Sequence, residues 1–233
     1  MKKVYPDADS ALFDFHDGVT VLVGGFGLCG NPENLISSVH SRGFKHLTIV
    51  SNNCGTTENG LGVLLKNKQV AKMVGSYVGE NKEFERQFLA NEIGVELVPQ
   101  GTLAERLRAG GAGLGGFFTP TGYGTQIAEG KETRMIGGKG YVFEKPIVGD
   151  YAFVKAYRGD TYGNLIFRKT ARNFNPVVAM AGRITIAEVE ELVPVGELDP
   201  DQVHCPSIFV QRIFLGKNYQ KWIEQRTVRP RSR

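Results

Sequence analysis

Residues 17–32, DGVTVLVGGFGLCGNP, set a glycine loop between an aliphatic strand and a helix start. Thr20–Val23 is the strand-like run. Gly24, Gly25, Phe26, Gly27, Leu28, Cys29 and Gly30 form the loop, and Asn31 and Pro32 open a helix with Leu35, Ile36 and Val39 on one face. In that order the three pieces make an anion site, because backbone N–H groups are exposed and the helix dipole favours negative charge. Gly25-x-Gly27-x-x-Gly30 is also a literal dinucleotide fingerprint. Such a site needs an Asp or Glu about 20 residues on, to hold the ribose hydroxyl. The next strand, Leu47–Val50, instead runs into Ser51, Asn52, Asn53 and Cys54, so the pattern argues against NAD. A second chemical candidate is Glu58, in Thr57-Glu58-Asn59-Gly60-Leu61. It is either a carboxylate nucleophile or a solvated side chain beside an Asn-Gly turn.

The elements that would position these residues alternate along the first two-thirds of the chain. Asp7 is expected to cap a helix running through Phe15, with Ala8, Ala11, Leu12 and Phe15 inward. Strand 20–23, helix 32–42, strand 47–51, a helix around 61–66, strand 70–76, helix 81–92, strand 95–98 and helix 102–109 follow. Gly43 and Gly94 stand where helix C-terminal glycines belong. This alternation implies βαβ units on a parallel sheet. Residues 110–124 are so rich in glycine that no regular element is expected, yet Phe117, Phe118 and Tyr123 argue for a packed, functional loop. Gly137-Gly138 lies in a β-hairpin, strands 151–156 and 163–167 flank a further turn, and helix 174–181 and strand 183–187 close the core. Gly24–Gly30, Ser51–Gly55 and Gln100-Gly101 each follow a strand directly, so they converge on the sheet edge where ligands bind in such folds.

Composition narrows the function. The chain has 233 residues, 41% of them hydrophobic, and a formal charge of +4. Arg226, Arg229, Arg231 and Arg233 supply much of that charge from a C-terminal tail, read as peripheral from residue 217 onward. The folded part shows no basic stripe with aromatic interleaving, which excludes nucleic acid as the expected partner. No apolar run is long enough to span a membrane, and the N-terminus has neither signal nor transit character. Cys29, Cys54 and Cys205 form no CxxC, and His16, His40, His46 and His204 are scattered, so the expectation is no metal and a reducing cytoplasm.

The longer pattern around the loop is more specific than its glycines. Asp17-Gly18, two residues, three aliphatics, Gly24-Gly25-Phe26, three residues, Gly30, one residue and Pro32 resembles the first signature of the family I coenzyme A transferases. The segment QGTLAERLRAGGAGLGGFFTPTG from Gln100 is similar to that family's central segment, and ARNFNP from Ala171 to its late one. The likeness covers about residues 3–216 and, through Ser51-Asn52-Asn53-Cys54-Gly55, is nearest the A (alpha) subunits that act with succinyl-CoA and 3-oxo acids.

The resemblance implies an open three-layer α/β/α fold with a mostly parallel sheet and an inserted β-hairpin region, all one domain. It implies coenzyme A as substrate, no cofactor, and transfer through an enzyme glutamyl thioester. It places Gly24–Gly30 against coenzyme A, and puts Asn52, Asn53 and Gln100 at positions whose amides support the reacting acyl group. Arg172 and Asn173 either touch ligand or pin the 171–176 turn. Glu58 matches the Glu-Asn-Gly core of the catalytic signature, but that signature has Ser before the glutamate and belongs to the other chain of the pair. The nucleophile is therefore expected on a B (beta) subunit, in an A2B2 hetero-oligomer. An acetate–acetoacetate or 3-oxoadipate transferase, a sugar-phosphate isomerase and a ligand-sensing module are the alternatives.

Overall fold

β1 (Thr20–Val23) is buried on both faces: Val21 and Val23 point into one apolar cluster and Leu22 into another. That explains its unbroken aliphatic run, the pattern of an interior parallel strand rather than an alternating one. A computed structural model of the chain describes residues 3–79, 81–220 and 222. The four tail arginines lie outside the described residues.

β2 (Leu47–Val50), β3 (Val70–Gly75) and β4 (Gly94–Leu97) step outward from β1 on one side. β8 (Gly149–Asp160), β10 (Gly182–Val193) and β11 (Arg212–Leu215) step outward on the other. All these pairings are parallel; the short β9 (Leu165–Ile166) pairs antiparallel with β8. The strand order therefore reverses between β1 and β8, the place where open α/β sheets form their ligand crevice. α1 (Ala8–Ala11), α2 (Glu33–Arg42), α3 (Gly62–Lys66) and α4 (Lys82–Leu89) bury their apolar residues in one cluster. α5 (Gln100–Gly111) and α6 (Asn175–Ala181) bury theirs in the other. The three-layer α/β/α expectation holds.

Several boundaries differ, each for a tertiary reason. The helix expected through Phe15 is a single turn capped reciprocally by Asp7 and Ser10. Arg212 Nη1 donates to the Ala11 carbonyl at 2.6 Å, the acceptor that Phe15 N–H would need to continue the helix. Ala8, Ala11, Leu12 and Phe15 are buried nevertheless. Gly43 ends α2 in the left-handed region (φ 70°), but after α4 that conformation falls on Asn91 (φ 53°), and Gly94 opens β4 instead. The glycine-rich 110–124 stretch does contain a regular element: β5 (Phe117–Thr119). It joins β7 (Lys139–Glu144) and β6 (Thr133–Ile136) in an antiparallel sheet ordered β5-β7-β6, with Phe118 against Phe143. Gly137 and Gly138, both at positive φ, make the tight hairpin between β6 and β7. β11 had no counterpart among the expected strands.

Candidate active site

The carboxyl ends of β1, β2, β3 and β4 deliver four segments to one edge. The loop after β1 folds on itself: Phe26 N–H donates to Cys29 O and Cys29 N–H to Phe26 O, each at 3.0 Å. Gly24 N–H is held by Phe153 O at 2.9 Å and Gly27 N–H by Asn53 Oδ1 at 2.9 Å. Among the described residues the N–H groups of Gly25, Leu28 and Gly30 have no acceptor. Gly25 sits at φ 118°, and a Cβ there would overlap Asn31 Oδ1, so both conformation and space demand glycine.

One expectation needs correction. The start of α2 is not an open anion site, because the chain fills it: Glu188 Oε2, from β10, accepts Leu35 N–H at 2.9 Å. Glu188 is fully buried. Burial pushes its carboxyl up to about 8. Lys155 stands opposite it in register on β8, with its ammonium 3.1 Å from Glu190 and over the Tyr219 ring. Among the described residues, the loop donors left without an acceptor are thus the N–H groups of Gly25, Leu28 and Gly30.

The amides do converge. Gln100 Nε2 donates to Asn52 Oδ1 at 2.8 Å, and Asn52 Nδ2 to Asn53 Oδ1 at 3.3 Å. Asn53 Oδ1 also receives Gly27 N–H, so the segments after β4 and β2 and the glycine loop are tied by one chain of polarised amides. Asn52 and Asn53 are buried, whereas Gln100, the first residue of α5, is exposed. Among the described residues Asn53 Nδ2 makes no hydrogen bond, leaving it a free donor at this edge. Sequence reasoning missed Ser76, whose hydroxyl donates to Asn52 Oδ1 at 2.8 Å. It directly follows β3, so the strand-end rule that picked Ser51 and Gln100 would have found it. Asn173 resolves as a pin: its Nδ2 donates to Cys29 O at 3.0 Å and Thr170 O at 2.8 Å. Arg172 is exposed. A cavity of about 510 Å³ elsewhere, lined by Asp7, Glu33, Ser37, Lys217 and Trp222 among others, includes none of these loop or amide residues.

A protein-family model described as "Coenzyme A transferase" matches residues 5–216. The chain belongs to the coenzyme A transferase family. This transferase chain is 62% identical over 232 residues to a Bacillus subtilis protein named as the probable A subunit of succinyl-CoA:3-ketoacid coenzyme A transferase, covering 100% of this chain and 98% of that one. It is 59% identical over 229 residues to the Helicobacter pylori protein named as the A subunit of the same transferase, covering 98% and 99%. Solved structures share the fold. An acyl-CoA transferase from Escherichia coli O157:H7, in a thioester complex with CoA, superposes with a TM-score of 0.82 at 22% identity, over 92% of this chain and 49% of that one. Glutaconate coenzyme A-transferase from Acidaminococcus fermentans gives 0.76 at 19% identity, over 91% and 75%. Family membership decides for a transferase against the isomerase and sensing alternatives.

In the transferase chain Glu58 stands apart from the amide chemistry. It is exposed and pairs with Lys66 Nζ through both oxygens at 2.9 Å. Cys54 is buried and its thiol is pushed up by that burial, as is that of Cys205, to about 12; neither is poised as a thiolate nucleophile. Cys29 is exposed in the loop, with Sγ 3.3 Å from Thr170 Oγ1. Among the described residues no cluster of His, Cys, Asp or Glu is placed to hold a metal ion, and no helix is long and apolar enough to cross a membrane.

Proposed function

We propose that the chain is the A subunit of a succinyl-CoA:3-oxoacid coenzyme A transferase, with acetoacetate as the acceptor class, and that the nucleophilic glutamate belongs to a B subunit. The observation that carries this is a site edge of free N–H groups and linked amides to which, among the described residues, no carboxylate is hydrogen-bonded, Glu58 being held by Lys66. In the reaction the partner's glutamate attacks the succinyl-CoA carbonyl, and the CoA thiolate leaves, forming a mixed anhydride. The thiolate then attacks the glutamyl carbonyl and succinate leaves, giving the enzyme thioester. The acceptor carboxylate attacks that thioester, and the same two steps run in reverse to release the new acyl-CoA. Asn52, Asn53 and Gln100 stabilise the oxyanions: amides donate to developing charge without competing as nucleophiles. Gly24–Gly30 presents its free N–H groups to the acyl or phosphate oxygens of coenzyme A. No metal or organic cofactor enters these steps, and water must be excluded because it would hydrolyse the anhydride. The assembly is an A2B2 heterotetramer in the cytoplasm, two-fold closure being the common solution for soluble oligomers.

The test is co-expression with the B subunit, followed by assay with succinyl-CoA and acetoacetate. Transfer by the complex and none by the pure chain supports the reading. Transfer by the chain alone overturns its placement as the half without a nucleophile, and preference for acetate or 3-oxoadipate reassigns the substrate.

A further inference from the structure

Asn175 opens α6 and is completely buried. Its Oδ1 accepts Lys155 N–H of β8 at 3.0 Å. Its Nδ2 donates to Gly30 O at 3.0 Å and to Ala171 O at 2.9 Å. One amide thus joins the glycine loop, the turn before α6 and the strand beside β1. The loop is shaped around it at both ends. A Cβ on Gly24 would overlap Asn175 Oδ1, and a Cβ on Gly30 would come within 3.0 Å of Asn175 Nδ2 and 2.9 Å of Ala171 O.

Asn173 performs the matching act one carbonyl earlier, donating to Cys29 O. Two successive carbonyls, Cys29 and Gly30, are therefore drawn to the same turn. In a planar trans peptide the following N–H points opposite to the carbonyl. The N–H groups of Gly30 and Asn31 are consequently turned away from the turn, and among the described residues neither has an acceptor. Donors without partners at a buried position call for an occupant.

We infer that Asn175, assisted by Asn173, is a positioning residue that aims the Gly30 and Asn31 N–H groups at the anionic group of bound acyl-CoA. It touches no reacting atom; it sets the direction of groups that do. The inference rests on the transferase reading above.

The experiment uses the assembled complex, assayed with succinyl-CoA and acetoacetate. Asn175→Asp keeps the acceptor for Lys155 N–H but faces two carbonyls with an oxygen, breaking only the clamp. Turnover is expected to fall about a hundredfold, the scale for misplaced reacting groups. Lowering the pH protonates the new carboxyl, restores one donor and recovers part of the loss relative to wild type at the same pH. Val178→Ala, in the same helix and equally buried, is the control for destabilisation alone. Assayed well below both melting points, it should keep near-normal turnover. Wild-type turnover in Asn175→Asp, a loss that Val178→Ala matches, or no recovery at low pH overturns the inference. If Asn175→Asp does not assemble, Asn173→Ala carries the test: a drop of about tenfold supports the clamp and unchanged turnover sinks it. No transfer by the wild-type complex would instead reject the transferase reading itself.

Discussion

Two stretches of this chain are dense in glycine, and they differ in what surrounds the glycines. In Gly24–Gly30, a Cβ on Gly24, Gly25 or Gly30 would press into Asn175, Asn31 or Ala171, so other segments occupy the vacated space. In residues 110–124 the surroundings are mixed: a Cβ on Gly110, Gly111, Gly116 or Gly122 would press into Ile147, Met180, Phe143 or Ile127, whereas Gly113, Gly115 and Gly124 have nothing within 4 Å of a built Cβ. The first stretch is over-determined, with its hydrogen bonds drawn from the end of β2, from β8 and from the turn before α6. The second relaxes into β5 and turns of an appended sheet. Glycine content therefore says little about function, whereas what fills the missing side chain's place says much.

The largest effect that would sharpen this contrast is Gly25→Val against Gly115→Ala. The first should abolish transfer or raise KM steeply while the fold persists, since a branched Cβ meets both a positive φ and Asn31. The second should leave kinetics normal and stability within about 0.5 kcal/mol. Equal effects at the two sites would erase the distinction. Next, Gln100→Ala and Asn52→Ala should each reduce turnover by about tenfold to a thousandfold, the range for a lost oxyanion donor. A rise in KM with kcat unchanged would instead place both amides in ground-state binding.

Glu188 tests the loop's underside. Its carboxyl is raised from 4.5 to about 8 in the folded chain, so the native state holds the proton more tightly than the unfolded one. The stability it lends is complete below pH 4.5 and is lost as the pH rises toward 8. Glu188→Gln, which retains an acceptor for Leu35 N–H, should flatten that decline. The midpoint in urea, followed across this window, should show the variant gaining on wild type as pH rises; parallel curves would mean the proton is not on Glu188. The smallest expected effect is Glu58→Ala in the assembled complex, with turnover within severalfold of normal. Loss of transfer there would move the nucleophile into this chain.

Much of the sheet was legible because its signals are local. Thr20–Val23 and Leu47–Val50 are short, mostly aliphatic runs closed by polar or glycine punctuation, Val70–Gly75 is a similar run interrupted by Lys72, and Leu35, Ile36 and Val39 mark a buried helix face at helical spacing. The rule that ligand loops follow strand ends brought Asn52, Asn53 and Gln100 to one edge from the order of elements alone. What escaped depends on partners far away in the chain. Arg212 cuts the first helix short from 198 positions beyond Asp14, its ion-pair partner. Phe117–Thr119 becomes a strand because β7 offers it a ladder, and β11 pairs at the far edge of β10.

The chain's own residue order established a parallel α/β sheet, a glycine loop at its carboxyl edge without the acidic residue a dinucleotide site needs, and a family resemblance. Folding alone revealed that Glu188 occupies the helix start, that Asn53 binds Gly27, and that Asn175 holds the loop from behind. The reason is physical. Periodicity and turn propensity act over a few residues and can be read in sequence. A hydrogen bond's partner across 145 positions is selected by strand order and burial, which exist only once the core has formed.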